Sequence, residues 1–187
     1  MRGFTLIEVI ITITILVIIT TALLPNYNKF SETIGIRREA QEVAYSVREV
    51  QASAFAVKGF DHDNNPGTPQ VFTAWGININ KTNSDRSYDL FVDINSDGRF
   101  DAVDHLVRTV DLSRFAKIKD ICANTNANPP GPCSRQNVTI TYKRPNPDAT
   151  LIADAAPYDG DIKIILESSS GLERSILVWS SGQITVE

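Results

Sequence analysis

Residues 3–24 of the chain read GFTLIEVIITITILVIITTALL, an apolar run in which Glu8 is the only charged residue. No glycine or proline follows Gly3 within the run, so its composition favours a continuous helix. At about 1.5 Å per residue, a helix over residues 4–24 measures about 32 Å, enough to cross a hydrocarbon core of about 30 Å. The run therefore predicts a transmembrane helix.

The flanks of the run and its single acid bear on what this helix does. Arg2 and the amino group of Met1 precede it, and the positive-inside bias places that end in the cytoplasm. A secretory signal peptide has a shorter apolar core and a small-residue cleavage site, whereas this run leads directly into Pro25. A plain single-pass anchor fits better but leaves Glu8 unexplained, because a carboxylate within a membrane span is costly and usually functional.

The segment Gly3-Phe4-Thr5-Leu6-Ile7-Glu8 follows a short basic leader and begins the apolar run. It resembles the processing site of type IV prepilins and the related pseudopilins. The resemblance implies that a prepilin peptidase cuts between Gly3 and Phe4, and that the new amine of Phe4 is N-methylated. It also implies a precursor in the bacterial inner membrane that later joins an extracellular pilus or a periplasmic pseudopilus. The implied partners are other pilins or pseudopilins and an inner-membrane assembly platform.

Glu8 gains a specific role from this resemblance. When apolar helices leave the bilayer and bundle together, a buried carboxylate needs a partner, because an unpaired charge in a low-dielectric medium is very costly. Glu8 lies about 6 Å from Phe4 along a helix axis, so an axially shifted neighbour can bring its N-terminal ammonium to this carboxylate. We therefore expect Glu8 to act in assembly of a homopolymer through the N-terminal helices. Snorkelling of Glu8 to the lipid headgroups is the alternative.

Beyond Pro25 the chain continues as an amphipathic helix to about Lys58. Its apolar residues recur at steps of three and four: Ile36, Ala40, Val43, Ala44, Val47, Val50, Ala54 and Phe55. Charged residues occupy the opposite side: Arg37, Arg38, Glu39, Glu42, Arg48 and Glu49. This pattern predicts one buried face. Residues 1–3 are then a leader, residues 4–25 a polymerisation helix, and residues 26–58 a helix that packs on a head made of residues 59–187.

The head reads as short strands separated by turn residues. The predicted strands cover residues 71–79, 87–92, 105–110, 138–142, 161–166, 174–179 and 183–186. Turns at residues 168–171 and 181–182 predict an antiparallel meander at the C-terminus. The expected fold class is α+β, with an antiparallel sheet packed on the amphipathic half of the helix. This layout resembles the head of a pilin or pseudopilin.

Residues 93–104 follow the spacing of an EF-hand calcium loop. Oxygen-bearing side chains fall at loop positions one, three, five, nine and twelve, and Gly98 at position six permits the sharp turn. The predicted ligands of a structural Ca²⁺ are the side chains of Asp93, Asn95, Asp97 and Asp104, the carbonyl of Arg99, and Asp101 directly or through water. Position twelve is Asp rather than Glu, which shortens its bidentate reach. The alternative is an acidic turn that binds nothing.

A second acidic cluster and a pair of cysteines complete the candidates. The cluster consists of Asp61, Asp63, Asn64 and Asn65, which lack the calcium spacing, and we interpret it as a solvated loop. Cys122 and Cys133 are the only cysteines, and they flank a stretch rich in Asn and Pro. Outside the reducing cytosol such a pair predicts a disulfide, with two unpaired thiols as the alternative.

Other chemistry finds little support in the sequence. The net charge of −4 and the lack of a basic stripe argue against nucleic acid as a partner. His62 and His105 are the only histidines, and no zinc-protease, nucleophile-elbow or phosphate-loop motif accompanies them. We therefore expect no enzyme. The leading interpretation is a structural subunit of a type IV pilus-like filament. A minor pseudopilin of a type II secretion system and a bitopic membrane protein with a calcium-binding head are the alternatives.

Overall fold

One long helix and ten short strands make up the part of the chain that the structure describes. The computed structural model describes residues 3–56, 74–125, 131, 133–146 and 148–187, with residues 22–28 described by their backbone alone. The helix, α1, spans Leu6–Phe55, and its 50 residues measure about 75 Å at about 1.5 Å each. The strands are β1 (Ala74–Asn80), β2 (Ser87–Asp93), β3 (His105–Asp111), β4 (Lys117–Ala123), β5 (Asn137–Tyr142), β6 (Ala149–Ala153), β7 (Ala156–Tyr158), β8 (Asp161–Glu167), β9 (Glu173–Trp179) and β10 (Ile184–Val186).

Within the described residues the strands form two antiparallel sheets. Six strands pair in the order β3-β2-β1-β5-β6-β7, and four pair in the order β10-β9-β8-β4. α1 contacts β1 and β5 of the larger sheet and β8, β9 and β10 of the smaller one. The predicted α+β class and the packing of the helix on antiparallel strands are confirmed. The head contains two such sheets rather than one, because the C-terminal meander pairs with β4 and not with a strand of the larger sheet.

The buried face of α1 follows the predicted periodicity. Seven predicted apolar positions are each at most 4% exposed: Ile36, Ala40, Val43, Ala44, Val47, Val50 and Ala54. Phe55 is the exception at 36%, and its ring lies edge-on to Tyr142 with centroids 6.4 Å apart. Glu39, predicted on the solvent side, is instead buried, and its Oε2 accepts a hydrogen bond from the backbone N–H of Ser113 at 3.2 Å. The helix therefore joins both sheets in one core.

The start of α1 differs from the predicted bound. The helix begins at Leu6 rather than at Phe4, because Thr5 has an extended conformation and serves as the N-cap. Its backbone remains helical past Pro25. The predicted leader residues Met1 and Arg2, the helix end at residues 57–58, the loop with its second acidic cluster and His62, and the first residues of the first predicted strand lie outside the described residues.

Three strands, β4, β6 and β7, are not among those predicted from the sequence. β4 carries an irregularity between Ile118 and Asp120, where its register against β8 shifts. Such a bulge breaks the period-two alternation on which strand prediction depends. β6 is five residues long and β7 is three, and β7 contains Pro157. Proline is tolerated at a sheet edge, and β7 lies at the edge of the larger sheet.

The C-terminal meander is confirmed. β8 pairs with β9 and β9 with β10, all antiparallel. Gly171 and Gly182 lie in the two turns with φ of +83° and +82°, a region that glycine enters without the penalty other residues meet. Ile176 and Val178 are 0% exposed and belong to the core, and Leu177 between them is 6% exposed.

Two buried tyrosines offer a matched test of the core. The hydroxyls of Tyr88 and Ser46 lie 2.9 Å apart and both residues are 2% exposed, which links β2 to α1 by a buried hydrogen bond. Burial also raises the pKa of Tyr88 to about 12. The hydroxyl of Tyr142 is buried as well, but it has no hydrogen-bond partner among the described residues.

We expect phenylalanine substitutions at these two tyrosines to act in opposite directions. Tyr88→Phe leaves the Ser46 hydroxyl without its partner and should lower the free energy of unfolding by about 1–2 kcal/mol. Tyr142→Phe removes a buried hydroxyl that lacks a partner and should be neutral or stabilising by up to about 1 kcal/mol. Chemical denaturation of the full chain checks both variants, and equal losses in the two would contradict the assignment of the hydrogen bond.

Candidate functional site

The predicted processing site lies at the exposed start of α1. Gly3 and Phe4 precede the helix, Phe4 is 83% exposed, and a Cβ added at Gly3 would have no atom within 4 Å. Thr5 is the N-cap, and its hydroxyl accepts a hydrogen bond from the backbone N–H of Glu8 at 3.4 Å. The bond between Gly3 and Phe4, where the resemblance predicts cleavage, therefore lies outside the helix and beside an exposed side chain.

The cap also explains the local position of Glu8. Thr5 and Glu8 have the spacing of a capping box, in which a threonine at the N-cap is followed by a glutamate three residues later. A carboxylate in the first turn is favoured by the positive end of the helix dipole. Sequence analysis did not single out Thr5, although the Thr-x-x-Glu spacing before an apolar run is a recognisable signal.

The apolar side chains in the N-terminal half of α1 are exposed. Between residues 6 and 19, the large apolar side chains range from 45% exposed at Val9 to 78% at Leu6. The hydroxyls of Thr12, Thr14, Thr20 and Thr21 each donate a hydrogen bond to a carbonyl three or four residues earlier, at 2.8–2.9 Å. These bonds leave the surface of the run largely apolar. Among the described residues, no helix reaches the length and hydropathy required to cross a bilayer.

The predicted calcium loop connects β2 to β3. Asp93 is the last residue of β2, and Asp104 immediately precedes β3. Asp93 is 1% exposed; its Oδ2 accepts a hydrogen bond from the N–H of Gly98 at 2.9 Å, whereas its Oδ1 is buried without a hydrogen-bond partner in the described residues. Gly98 has φ of +80°, which supports its predicted place at the sharp turn of the loop.

Backbone N–H groups within the loop orient the other predicted ligands. Asn95 Oδ1 accepts from the N–H of Asp97 at 3.1 Å, and Asp97 Oδ1 accepts from the N–H of Arg99 at 2.8 Å. Asp101 Oδ1 accepts from the N–H of Val103 at 2.8 Å. The two oxygens of Asp104 accept from the N–H groups of Ile94 and Asp101, each at 3.0 Å. Carboxylate and amide oxygens of this kind keep further lone pairs free for a cation.

The electrostatics of the loop reflect crowding of negative charge. Burial raises the pKa of Asp93, and the nearby charges of Asp104 and Asp97 raise it further, against the opposing effects of the Gly98 and Ser96 backbone N–H groups. Burial likewise raises the pKa of Asp104, with contributions from the charges of Asp101 and Asp97. Nevertheless, nowhere in the described chain do three or more His, Cys, Asp or Glu side chains converge closely enough to hold a metal ion.

The loop is fixed on the larger sheet. The ring of Phe100 packs on that of Phe91 in β2 with centroids 4.8 Å apart. The guanidinium of Arg99 donates to the carbonyl of Ala155, between β6 and β7, at 3.1 Å. A Cβ on Gly98 would lie 3.1 Å from Thr150 Cγ2 in β6. The conformation of this loop therefore depends on the β6–β7 hairpin as well as on β2. Phe100, which packs the loop on β2, was not among the residues predicted from the sequence.

Cys122 and Cys133 form the predicted disulfide. Cys122 is 1% exposed near the end of β4. After the bridge, the chain runs back beside β4, because the N–H of Arg135 donates to the carbonyl of Ile121 at 3.0 Å and the N–H of Ser134 donates to Asp120 Oδ1 at 2.8 Å. The bridge therefore closes a loop whose ends are also held by backbone hydrogen bonds.

Comparison with known proteins identifies the N-terminal segment. A family model described as the prokaryotic N-terminal methylation motif matches residues 1–24. Neither the curated proteins nor the solved structures gave a match to the chain.

This match bears directly on the resemblance to prepilins. The motif indicates a membrane-anchored prepilin that is a substrate of the prepilin peptidase, and it implies assembly with pilin-like proteins. The Gly3–Phe4 bond lies just before the start of the helix, and no atom lies within 4 Å of a Cβ position at Gly3. Residues 1–24 are thus a prokaryotic N-terminal methylation motif, as the resemblance to type IV prepilins and pseudopilins predicts.

Proposed function

We propose that the mature chain is a structural, non-enzymatic subunit of a type IV pilus-like filament. The observation that carries the proposal is one helix with two different surfaces. Up to residue 19 the large apolar side chains of α1 are exposed, whereas from Ile36 to Ala54 one face of the same helix is buried against the head. The second half of such a helix packs in the core of its own head, whereas the exposed first half needs an apolar environment.

In this proposal the apolar half of α1 lies first in the membrane and later among the helices of other subunits. The run from Phe4 to Leu24 supports single-pass insertion in the bacterial inner membrane, with the N-terminus in the cytoplasm. After cleavage, equivalent helices of other copies replace the lipid, so the polymer is held together by the N-terminal helices. The inner-membrane assembly platform and other pilin-like subunits are the remaining partners in this proposal.

Glu8 specifies how the helices align. In a bundle of apolar helices its carboxylate loses water and requires a cationic partner. The amine that cleavage creates on Phe4 is a suitable partner, because Phe4 lies outside the helix and is 83% exposed. An ammonium from an axially displaced neighbour would neutralise Glu8 and fix the stagger between subunits. Uncleaved chains offer no such amine at that position, so processing would precede assembly.

Intact mass analysis of the protein from its native cells tests the proposal. We expect a mature chain that begins at N-methylated Phe4. Gly3→Val should accumulate uncleaved, because it removes the glycine that precedes the cut in the prepilin motif. Gly3 has no atoms near its Cβ position, so this variant should fold normally and serve as its own structural control. An intact Met1 in cells with an active prepilin peptidase would contradict the proposal and favour a permanently anchored membrane protein.

Purified surface fibres then distinguish the two kinds of filament. A pilus subunit should be a bulk component of extracellular fibres that survive washing of the cells. If the processed chain stays with the cell envelope and is needed for secretion of periplasmic proteins, the chain is a minor pseudopilin of a type II secretion system instead.

A further inference from the structure

The loop between β2 and β3 contains a buried carboxylate oxygen that has no donor in hydrogen-bond geometry among the described residues. Asp93 is 1% exposed, and while its Oδ2 accepts a hydrogen bond from Gly98, its Oδ1 has no donor in the described residues. A buried anionic oxygen in this state is strongly unfavourable. Its presence in a well-packed position points to a cation that is required to complete the site.

The surroundings of Asp93 supply oxygen ligands in a suitable arrangement. Asn95, Asp97 and Asp101 are exposed side chains of the same loop, and Asp104 is partly buried at its end. The charges of Asp97 and Asp104 both act on Asp93, so these two carboxylates lie within electrostatic range of it. A divalent cation among them would replace mutual repulsion by attraction.

We propose that residues 93–104 bind one calcium ion. Asp93 Oδ1 provides the buried ligand, and Asn95, Asp97, Asp104 and the carbonyl of Arg99 provide the others, with Asp101 acting directly or through a water molecule. The carboxylates do not converge in the present structure, and binding requires Asp97 and Asp104 to rotate toward the fixed Asp93. Asp97 is exposed, so its rotation displaces no core side chain.

The donor chemistry selects calcium over other metals. All of the ligands are oxygens, which hard cations prefer, and no histidine or cysteine lies among them. Calcium accepts six to eight oxygens in a flexible geometry, whereas Mg²⁺ demands a near-ideal octahedron and shorter bonds. A loop built from neighbouring Asp and Asn side chains and a backbone carbonyl therefore suits calcium better than Mg²⁺.

The loop contacts connect the proposed site to the rest of the head. Arg99 and Phe100 attach the loop to the β6–β7 hairpin and to β2. An ion that fixes the loop should therefore stabilise the larger sheet, and because only the folded chain presents these ligands together, binding raises stability by mass action. This inference concerns the head alone and does not depend on whether the chain polymerises.

Calorimetric titration and thermal melting of the full chain in detergent test the site. After dialysis against EGTA, wild-type protein should bind one calcium ion, and its melting temperature should rise by about 5–11 °C at a calcium concentration about 100 times Kd. Asp97→Asn keeps an oxygen for the Arg99 N–H but removes one charge, and it should weaken calcium binding about tenfold or more. Asp159→Asn, an exposed carboxylate beyond β7, is the matched control and should bind like wild type.

Asp93→Asn gives a second test, which separates loss of calcium binding from loss of folding. Removing the buried charge should leave the EGTA-treated protein at least as stable as wild type while abolishing its response to calcium. A general loss of folding would lower the melt in both conditions instead. The proposal is overturned if wild-type protein shows no saturable calcium binding and no calcium-dependent melt, or if Mg²⁺ produces the same shift in wild type and in Asp97→Asn.

Discussion

Glu8→Ala is expected to abolish filament formation while leaving membrane insertion and cleavage after Gly3 intact. Insertion depends on the apolar run, which the substitution makes more apolar, and cleavage depends on the exposed bond between Gly3 and Phe4. Assembly, in contrast, requires a partner for the Phe4 amine once the helices pack together. Without Glu8 that ammonium would be buried alone.

The size of the effect follows from the loss of one member of a buried ion pair. Breaking such a pair costs about 3–5 kcal/mol, because the remaining charge stays desolvated and unpaired. Each 1.4 kcal/mol corresponds to about a tenfold change in an equilibrium constant, so addition of each subunit should weaken by about a hundredfold or more. A polymer whose every contact weakens by this amount should not form at cellular concentrations.

Fibre yield, processing and membrane fractionation measured on the same cells check this expectation. Glu8→Gln should fail as Glu8→Ala does, because it keeps the size and the polarity but not the charge. Glu42→Ala is the matched control: Glu42 is an exposed acid on the same helix, within its amphipathic half. Normal fibres from Glu8→Ala would contradict the assembly role and favour snorkelling of this residue in the bilayer.

Cys133→Ser is expected to lower the free energy of unfolding by about 3 kcal/mol. The bridge to Cys122 spans a sequence separation of 11 residues, and closing a loop of this length removes about that much entropy from the unfolded chain. For a protein of this size the melting temperature should fall by about 6–12 °C. Cys133 is exposed and Cys122 is buried, so changing Cys133 leaves the core side chain in place.

Reducing agent provides the internal control for this measurement. Wild-type protein treated with reductant should melt near the temperature of Cys133→Ser, and the variant itself should not respond to reductant. If the melting temperatures of oxidised and reduced wild type coincide, the hydrogen bonds that the Ser134 and Arg135 N–H groups donate to Asp120 and Ile121 hold the loop without help from the bridge.

Much of the helix was predictable from the sequence, because its signals are local and repeated. The buried face from Ile36 to Ala54 follows a period that many residues reinforce, so single exceptions do not obscure it. Glu39 was not predictable as a buried residue, because the N–H that it binds belongs to Ser113, which is distant in sequence. The start at Leu6 was missed because the Thr5 cap competes with helical extension to Phe4.

The sheets were predicted less completely, since strand pairing depends on distant segments. The alternation of β4 is broken by its bulge between Ile118 and Asp120, and the strand is stabilised by β8, which lies far along the chain. The division into two sheets likewise has no local signal. The calcium-type loop, by comparison, was recognisable from the local spacing of its residues, and the structure places it between β2 and β3. Only the structure shows the unpartnered oxygen of Asp93.

The positions of the buried side chains along α1 show where the chain can be shortened without loss of the head. Ile36 is the first core residue among the helix side chains that the structure describes, and Phe30 and Ile34 before it are 65% and 51% exposed. A shortened chain beginning at residue 29 would keep the contact between Glu32 and Ser169 at 3.2 Å and every core residue among the described side chains of the helix. Truncation at that point should therefore release a detergent-free head suitable for crystallisation and for titration in plain buffer.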